Sequence, residues 1–120
     1  MKETYLQSKI CDYLSAKGYF FSRTNNTPIF MPSRNCFRKM GKYVVRGFPD
    51  IVLIPHKLFT TRLIDGEEIA FNRGQFVGLE IKSSKGVMSE DQKITQKRIE
   101  KAGGHYFLIN SWESFTKLGL

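Results

Sequence analysis

The chain has few of the residues that would staple or metallate a small fold. It carries two cysteines, Cys11 and Cys36, no CxxC pair, and two histidines, His56 and His105, neither with a partner at zinc-ligand spacing. A zinc site is therefore not expected, and the two lone cysteines are expected to stay reduced rather than to form a framework. No apolar run approaches the ~18 residues of a membrane span, and the opening MKETYLQSK lacks the apolar stretch of a signal peptide. No membrane partner is expected, and the cytoplasm is the expected location. Acid is missing from one long window. Between Tyr13 and Pro49 there is no Asp or Glu, while Lys17, Arg23, Arg34, Arg38, Lys39, Lys42 and Arg46 all fall inside it, interleaved with Tyr19, Phe20, Phe21, Phe30, Phe37 and Tyr43.

What is present suits one domain. At 120 residues, with 41% hydrophobic and 13% aromatic residues, the chain is long enough for one ordinary core, and no repeat or linker divides it. The formal net charge of +8 implies a positive surface field, whose commonest partners are nucleic acids or anionic membranes.

Residues 3–17 read as a helix, because Leu6, Ile10, Tyr13 and Leu14 recur at three- and four-residue spacing and Gly18 stands where a C-terminal cap belongs. Glu3 shares that face, with Gln7 one turn along its edge. Glu3 suits either a site or simple complementation of the helix dipole. Residues 19–23 follow as a strand. From 24 to 47, Asn25, Asn26, Pro28, Pro32 and Gly41 break any long period, so the expectation is a long loop with a short strand at 43–45. Such loops are uncommon in compact domains unless functional, and this one holds the acid-free window. Arg34, Arg38, Lys39, Lys42 and Arg46 are the expected phosphate contacts. Phe37 and Tyr43 suit either stacking on an unpaired base or packing on the sheet.

Residues 50–54, DIVLI, form a short apolar run between Pro49 and Pro55, the pattern of a central strand buried on both faces, with Asp50 at its mouth. Residues 56–74 are expected to be peripheral, with Asp65-Gly66 as a two-residue hairpin turn between 60–64 and 67–71. Residues 75–82 alternate: Val77, Leu79 and Ile81 lie on one face and Phe76, Gly78, Glu80 and Lys82 on the other. Ser89 and Gln92 form a capping-box pattern opening a helix to Ala102, whose inner face is Gln92, Thr95, Ile99 and Ala102 and whose outer stripe is Lys93, Lys97 and Lys101. Residues 105–109 make a last strand. Ser111 caps a short helix to about Leu118, offering Trp112, Phe115 and Leu118 for packing.

Phosphodiester hydrolysis needs an activated water, a place for transition-state charge and relief for the leaving oxygen, all of which a hard divalent cation can supply. Asp50 and Glu80 are suitable ligands, with the Ile81 carbonyl as a further oxygen and Glu3 in a second shell or second site. Lys82, two residues after Glu80 on the same strand face, is placed to orient or deprotonate the water and to neutralise phosphate. Glu-x-Lys by itself is a weak signal; its context strengthens it.

Pro49-Asp50 with Glu80-Ile81-Lys82 resembles the PD-(D/E)xK nuclease superfamily. The finer pattern is similar to its VRR-NUC branch: Glu3 and Gln7 on an early helix, then Arg46-Gly47-Phe48-Pro49-Asp50, Gly78-Leu79-Glu80-Ile81-Lys82 and Met88-Ser89-Glu90-Asp91-Gln92. The resemblance implies an α/β fold with a restriction-endonuclease-like αβββαβ core, a mixed central sheet flanked by helices and a short C-terminal helix. It implies a Mg²⁺- or Mn²⁺-dependent endonuclease leaving 5′-phosphate and 3′-hydroxyl ends, with Glu3, Asp50 and Glu80 as the acidic site residues, Lys82 as the catalytic lysine and Gln92 as the helix glutamine. Small stand-alone members resemble phage-encoded proteins and are associated with branched DNA such as four-way junctions, which favours a homodimer. Phe48 departs from the small aliphatic residue more usual at its place, and the loop is long; both bear on substrate preference. The alternative is a DNA-binding accessory that keeps the fold without the reaction. A sequence-specific restriction enzyme is disfavoured because 120 residues leave no room for a recognition module.

Overall fold

Leu6, Ile10 and Leu14 are spaced to share one helix face, and in the computed structural model all three are buried along α1 (Glu3–Ala16). The structure describes residues 2–24 and 42–120, together with the backbone of residues 30–31 and 36–37. Burying each of these side chains contributes about 2 kcal/mol, which fixes α1 on the sheet and sets where Glu3 stands. The helix stops where Gly18 takes φ 79°, a left-handed conformation that costs glycine little.

The chain then forms β1 (Phe20–Arg23), β2 (Phe30–Met31), β3 (Cys36–Phe37), β4 (Ile51–Ile54), β5 (Phe59–Arg62), β6 (Glu68–Phe71), β7 (Val77–Ile81), α2 (Glu90–Lys101), β8 (His105–Ile109) and α3 (Trp112–Thr116). The central sheet has the order β1-β4-β7-β8. β4 runs antiparallel to β1 and β7, whereas β8 runs parallel to β7 across the α2 crossover, so the sheet is mixed. The result is a mixed α/β fold with helices on the sheet.

One face of the sheet supplies Ile51, Leu53, Val77, Leu79, Ile81 and Ile109 to a core shared with α1 and with Phe115 of α3. Gly78, Glu80 and Tyr106 point the other way, beneath α2 and the segment that leads into β4. All five residues of β7 are buried, as its position between two strands and two helical layers requires.

Several expectations are corrected. Residues 43–45 form no strand; β2 and β3 instead pair with each other, Phe30 opposite Phe37 and Met31 opposite Cys36. The 43–45 stretch has β-forming residues, but among the described residues no strand pairs with it to accept a ladder. β4 is not buried on both faces, since Val52 is only partly covered and Ile54 is exposed. Asp50 precedes the strand by one residue. Around Asp65-Gly66 the loop holds three residues rather than two, because the Leu63 N–H donates to the Glu67 carbonyl at 2.7 Å, Gly66 takes φ 91° and the Asp65 carboxylate accepts the Glu67 N–H.

That hairpin is also not peripheral. Phe71 is fully buried and stacks on Phe59 at 4.9 Å, the Thr61 hydroxyl donates to the Leu118 carbonyl, and a His105 ring nitrogen lies 2.7 Å from the Ala70 carbonyl. The hairpin closes the C-terminal side of the core. On α2 only Thr95 is fully buried, while Ala102 is exposed and Gln96 turns inward to donate to the Tyr106 carbonyl. Lys93, Lys97 and Lys101 are exposed as a solvated stripe. α3 ends at Thr116, and Leu118 is buried in the turn beyond it.

Candidate functional site

Asp50 and Glu80 come together because of strand register. β4 and β7 pair antiparallel with Ile51 opposite Leu79, so the residue just before β4 lies beside the fourth residue of β7. The Asp50 carboxylate accepts the Ile81 N–H at 2.8 Å and makes a side-chain hydrogen bond with Glu80. The Asp50 carbonyl accepts the Thr24 N–H at 2.8 Å, tying the same residue to the end of β1. Asp50 is thereby held from both neighbouring strands.

Glu80 is only 4% exposed. Burial, then its hydrogen bond to Asp50, then the Asp50 charge push its carboxyl up to about 8, against the lowering influence of Lys82 and of the Tyr106 hydroxyl. Glu80 therefore keeps its proton at neutral pH where it lies against the partly buried Asp50. Lys82, partly buried, is one residue past the end of β7, and its N–H donates to the Ile109 carbonyl at 2.9 Å, which extends the parallel ladder under the site.

The Tyr106 hydroxyl completes this arrangement. It lies 3.2 Å from Glu80 Oε1 and 3.1 Å from the Gly47 carbonyl, its single proton serving both acceptors. Burial and the neighbouring Glu80 charge push its phenol far above the ordinary tyrosine range, so it is a neutral donor. Sequence reasoning missed Tyr106. The signal was the glycine at 78: Gly78 pairs with Tyr106 across the parallel β7–β8 ladder, and a Cβ at Gly78 would lie 2.5 Å from the Pro49 ring. Gly78 lets the segment before Asp50 lie directly on β7.

Gly47 does the same against α2. With φ 74°, it brings the chain so close that a Cβ would sit 2.6 Å from the backbone of Asp91 and Gln92. The Thr95 hydroxyl donates to the Arg46 carbonyl at 2.6 Å, so Arg46 through Asp50 runs clamped between α2 and β7.

Glu3 and Gln92 take other partners. Glu3 is exposed, and its carboxylate accepts the Ser83 N–H at 2.9 Å, one residue beyond Lys82. It thus stands at the end of β7. The Gln92 side-chain oxygen accepts the Ser89 N–H while the Gln92 N–H donates to Ser89 Oγ, the reciprocal capping box that starts α2. Gln7 accepts a long 3.4 Å bond from Arg23, which pairs with Ile51. Lys42 and Arg46 are exposed, with Lys42 Nζ 5.6 Å from the Tyr43 ring centre. Arg34, Arg38 and Lys39 lie outside the described residues, as does the side chain of Phe37.

The donor set fits a hard divalent cation through two carboxylates, Asp50 and Glu80, whose mutual repulsion a cation would relieve; such ions keep several waters and need few protein oxygens. Among the described residues no cluster of three or more His, Cys, Asp and Glu stands close enough to hold a metal, so Glu3 is not part of a preformed triad. No family model, curated protein or solved structure matches the chain.

Proposed function

We propose that the chain is a Mg²⁺- or Mn²⁺-dependent DNA endonuclease with a restriction-endonuclease-like core of the VRR-NUC type, acting on branched DNA such as four-way junctions as a homodimer. The observation that carries this reading is the pairing of the buried Glu80 carboxyl with the partly buried Asp50, with Lys82 two residues on. A protein that only binds a polyanion gains nothing from acids set beside its basic surface, because uncompensated carboxylates repel phosphate. Bound to the two carboxylates, a divalent cation supplies Lewis-acid polarisation and a more acidic water. The chain's own residues do the rest. Asp50 is oriented by the Ile81 N–H, Glu80 by Tyr106, and Lys82 carries positive charge to the same edge for a water or a phosphate oxygen. Lys42 and Arg46, exposed on the segment leading to Asp50, supply sequence-independent phosphate attraction. No helix among the described residues is long and apolar enough to cross a membrane.

The test is a cleavage panel of labelled four-way junction, flap, hairpin and linear duplex with Mg²⁺ or Mn²⁺. The expected result is cleavage of branched forms, abolished by EDTA and by Glu80→Ala. The second reading, a DNA-binding accessory, is favoured by the engagement of Glu3 and Gln92 in backbone hydrogen bonds. It prevails if the protein binds these DNAs, cuts none, and binds more tightly as Asp50→Asn.

A further inference from the structure

The segment that delivers Asp50 also lines two cavities that the proposed reaction does not use. One, of about 540 Å³, is bounded by Phe48, Phe76, Arg98, Ile99, Ala102 and Gly104. A second, of about 350 Å³, shares Val45, Thr95 and Arg98 with the first and extends it toward Arg46 and Lys42. Together they make one groove along α2, apolar at one end and cationic at the other.

The lining defines what fits. Phe48 and Phe76 form an edge-to-face pair 5.9 Å apart, an aromatic wall facing the C-terminal half of α2. Hydrogen-bonding groups around it are largely occupied by each other: the Gln75 amide donates to the Gly103 carbonyl at 2.7 Å and accepts the Asn72 N–H, and the Thr95 hydroxyl is held by Arg46. The apolar end therefore offers contact area rather than a dense set of donors, which disfavours a free phosphate. The other end sets Lys42, Arg46 and Arg98 against the single acid Asp91, which disfavours a purely aliphatic body. A flat ring flanked by anions matches both ends, and base–aromatic stacking is tolerant of base identity.

Position relates this groove to the carboxyl pair. Phe76 immediately precedes β7 and lies on the same face as Glu80, four residues or ~13 Å away along the strand. At ~3.4 Å per stacked step, that is about four nucleotides.

The geometry points to a base pocket: one unpaired nucleobase seats against Phe48 and Phe76, its flanking phosphates lie on Arg98 and Arg46, and it stands about three to five nucleotides from the phosphodiester nearest Asp50 and Glu80. The spacing to the cut rests on the nuclease reading, whereas the pocket itself does not. In EDTA, a duplex carrying one unpaired 2-aminopurine should bind the 120-residue chain at least about fivefold more tightly than its fully paired counterpart, with the base's fluorescence quenched. Ala102→Trp fills the groove from an exposed helix end, and Arg98→Ala removes an exposed cation; each should bring that ratio close to one. Equal affinity of the wild-type chain for the two duplexes, or a ratio that neither variant moves, overturns the pocket. Cleavage of a fully paired junction with Mg²⁺ is scored alongside. Its absence with the binding ratio intact removes the nuclease reading and leaves the pocket standing.

Discussion

Tyr106 places its hydroxyl 3.2 Å from Glu80 Oε1 and 3.1 Å from the Gly47 carbonyl, joining β8, β7 and the segment that carries Asp50 through one oxygen. Tyr106 is 2% exposed, so no water stands ready to replace it. Tyr106→Phe leaves a buried carbonyl and a buried carboxyl oxygen short of a donor, and should destabilise the fold by about 1–3 kcal/mol. Urea denaturation of both proteins checks this. A loss below about 0.5 kcal/mol would show that the hydroxyl does not hold the segment.

Glu80 gives the metal-free protein a characteristic pH dependence. Its folded-state carboxyl is pushed up to about 8 from an ordinary 4.5, so between these values the folded chain holds a proton that the unfolded chain has released. The folded state binds more protons there, and stability falls as pH rises through the window. The contribution is fully present below pH 4.5, and it is gone once pH has passed about 8. Its scale is on the order of a few kcal/mol. In EDTA, Glu80→Gln should flatten this decline and be more stable than wild type at pH 8. A wild-type profile that stays level from pH 5 to 8 would contradict the burial of the Glu80 carboxyl beside Asp50.

Lys82 should separate catalysis from binding. Lys82→Met removes the charge beside the carboxyl pair and should lower cleavage by about 100-fold or more. Binding of the same DNA in EDTA should change by no more than about threefold, since one phosphate contact is a small part of a basic surface. Lys85→Met, in the exposed turn that follows, serves as the control and should leave cleavage unaltered. Equal effects of the two substitutions would remove Lys82 from the proposed chemistry.

Gly47 should tolerate no side chain. Gly47→Ala meets a left-handed φ of 74° and a Cβ position 2.6 Å from the α2 backbone, so strain and overlap add. A loss of more than about 2 kcal/mol is expected, with the proposed cleavage falling as Asp50 shifts. Gly18→Ala has a similar φ of 79° and nothing within 4 Å, and should cost about 1 kcal/mol from conformation alone. Thermal melts of the pair distinguish contact from strain; a Gly47→Ala melt no lower than that of Gly18→Ala would show that α2 yields.

Features made by near neighbours were legible in the chain itself. The Ser89–Gln92 capping box is closed by residues three apart, and it forms as its spacing predicts. The same holds for the Gly18 stop of α1 and for the alternation along β7. Where an expectation relied on propensity without a partner it failed, as with a strand at 43–45. Gln92 shows a subtler limit. Its position at the start of α2 was readable, yet the same spacing that marked it also commits its side-chain oxygen to the Ser89 N–H.

By itself the sequence determined the stop of α1 and the cap that starts α2, the buried strand that carries Glu80 with Lys82 just beyond it, and the one-sided distribution of acid and base. Only tertiary structure decided which acids meet. Asp50 and Glu80 are thirty residues apart and touch through the β4–β7 register, in which a one-residue slip would turn Glu80 to the opposite face. Tyr106 reaches them because β8 returns parallel to β7, and Gly47 and Gly78 allow the backbone approaches that close the site. Those contacts depend on pairing between distant segments, and local patterning carries no record of such pairing until the sheet is assembled.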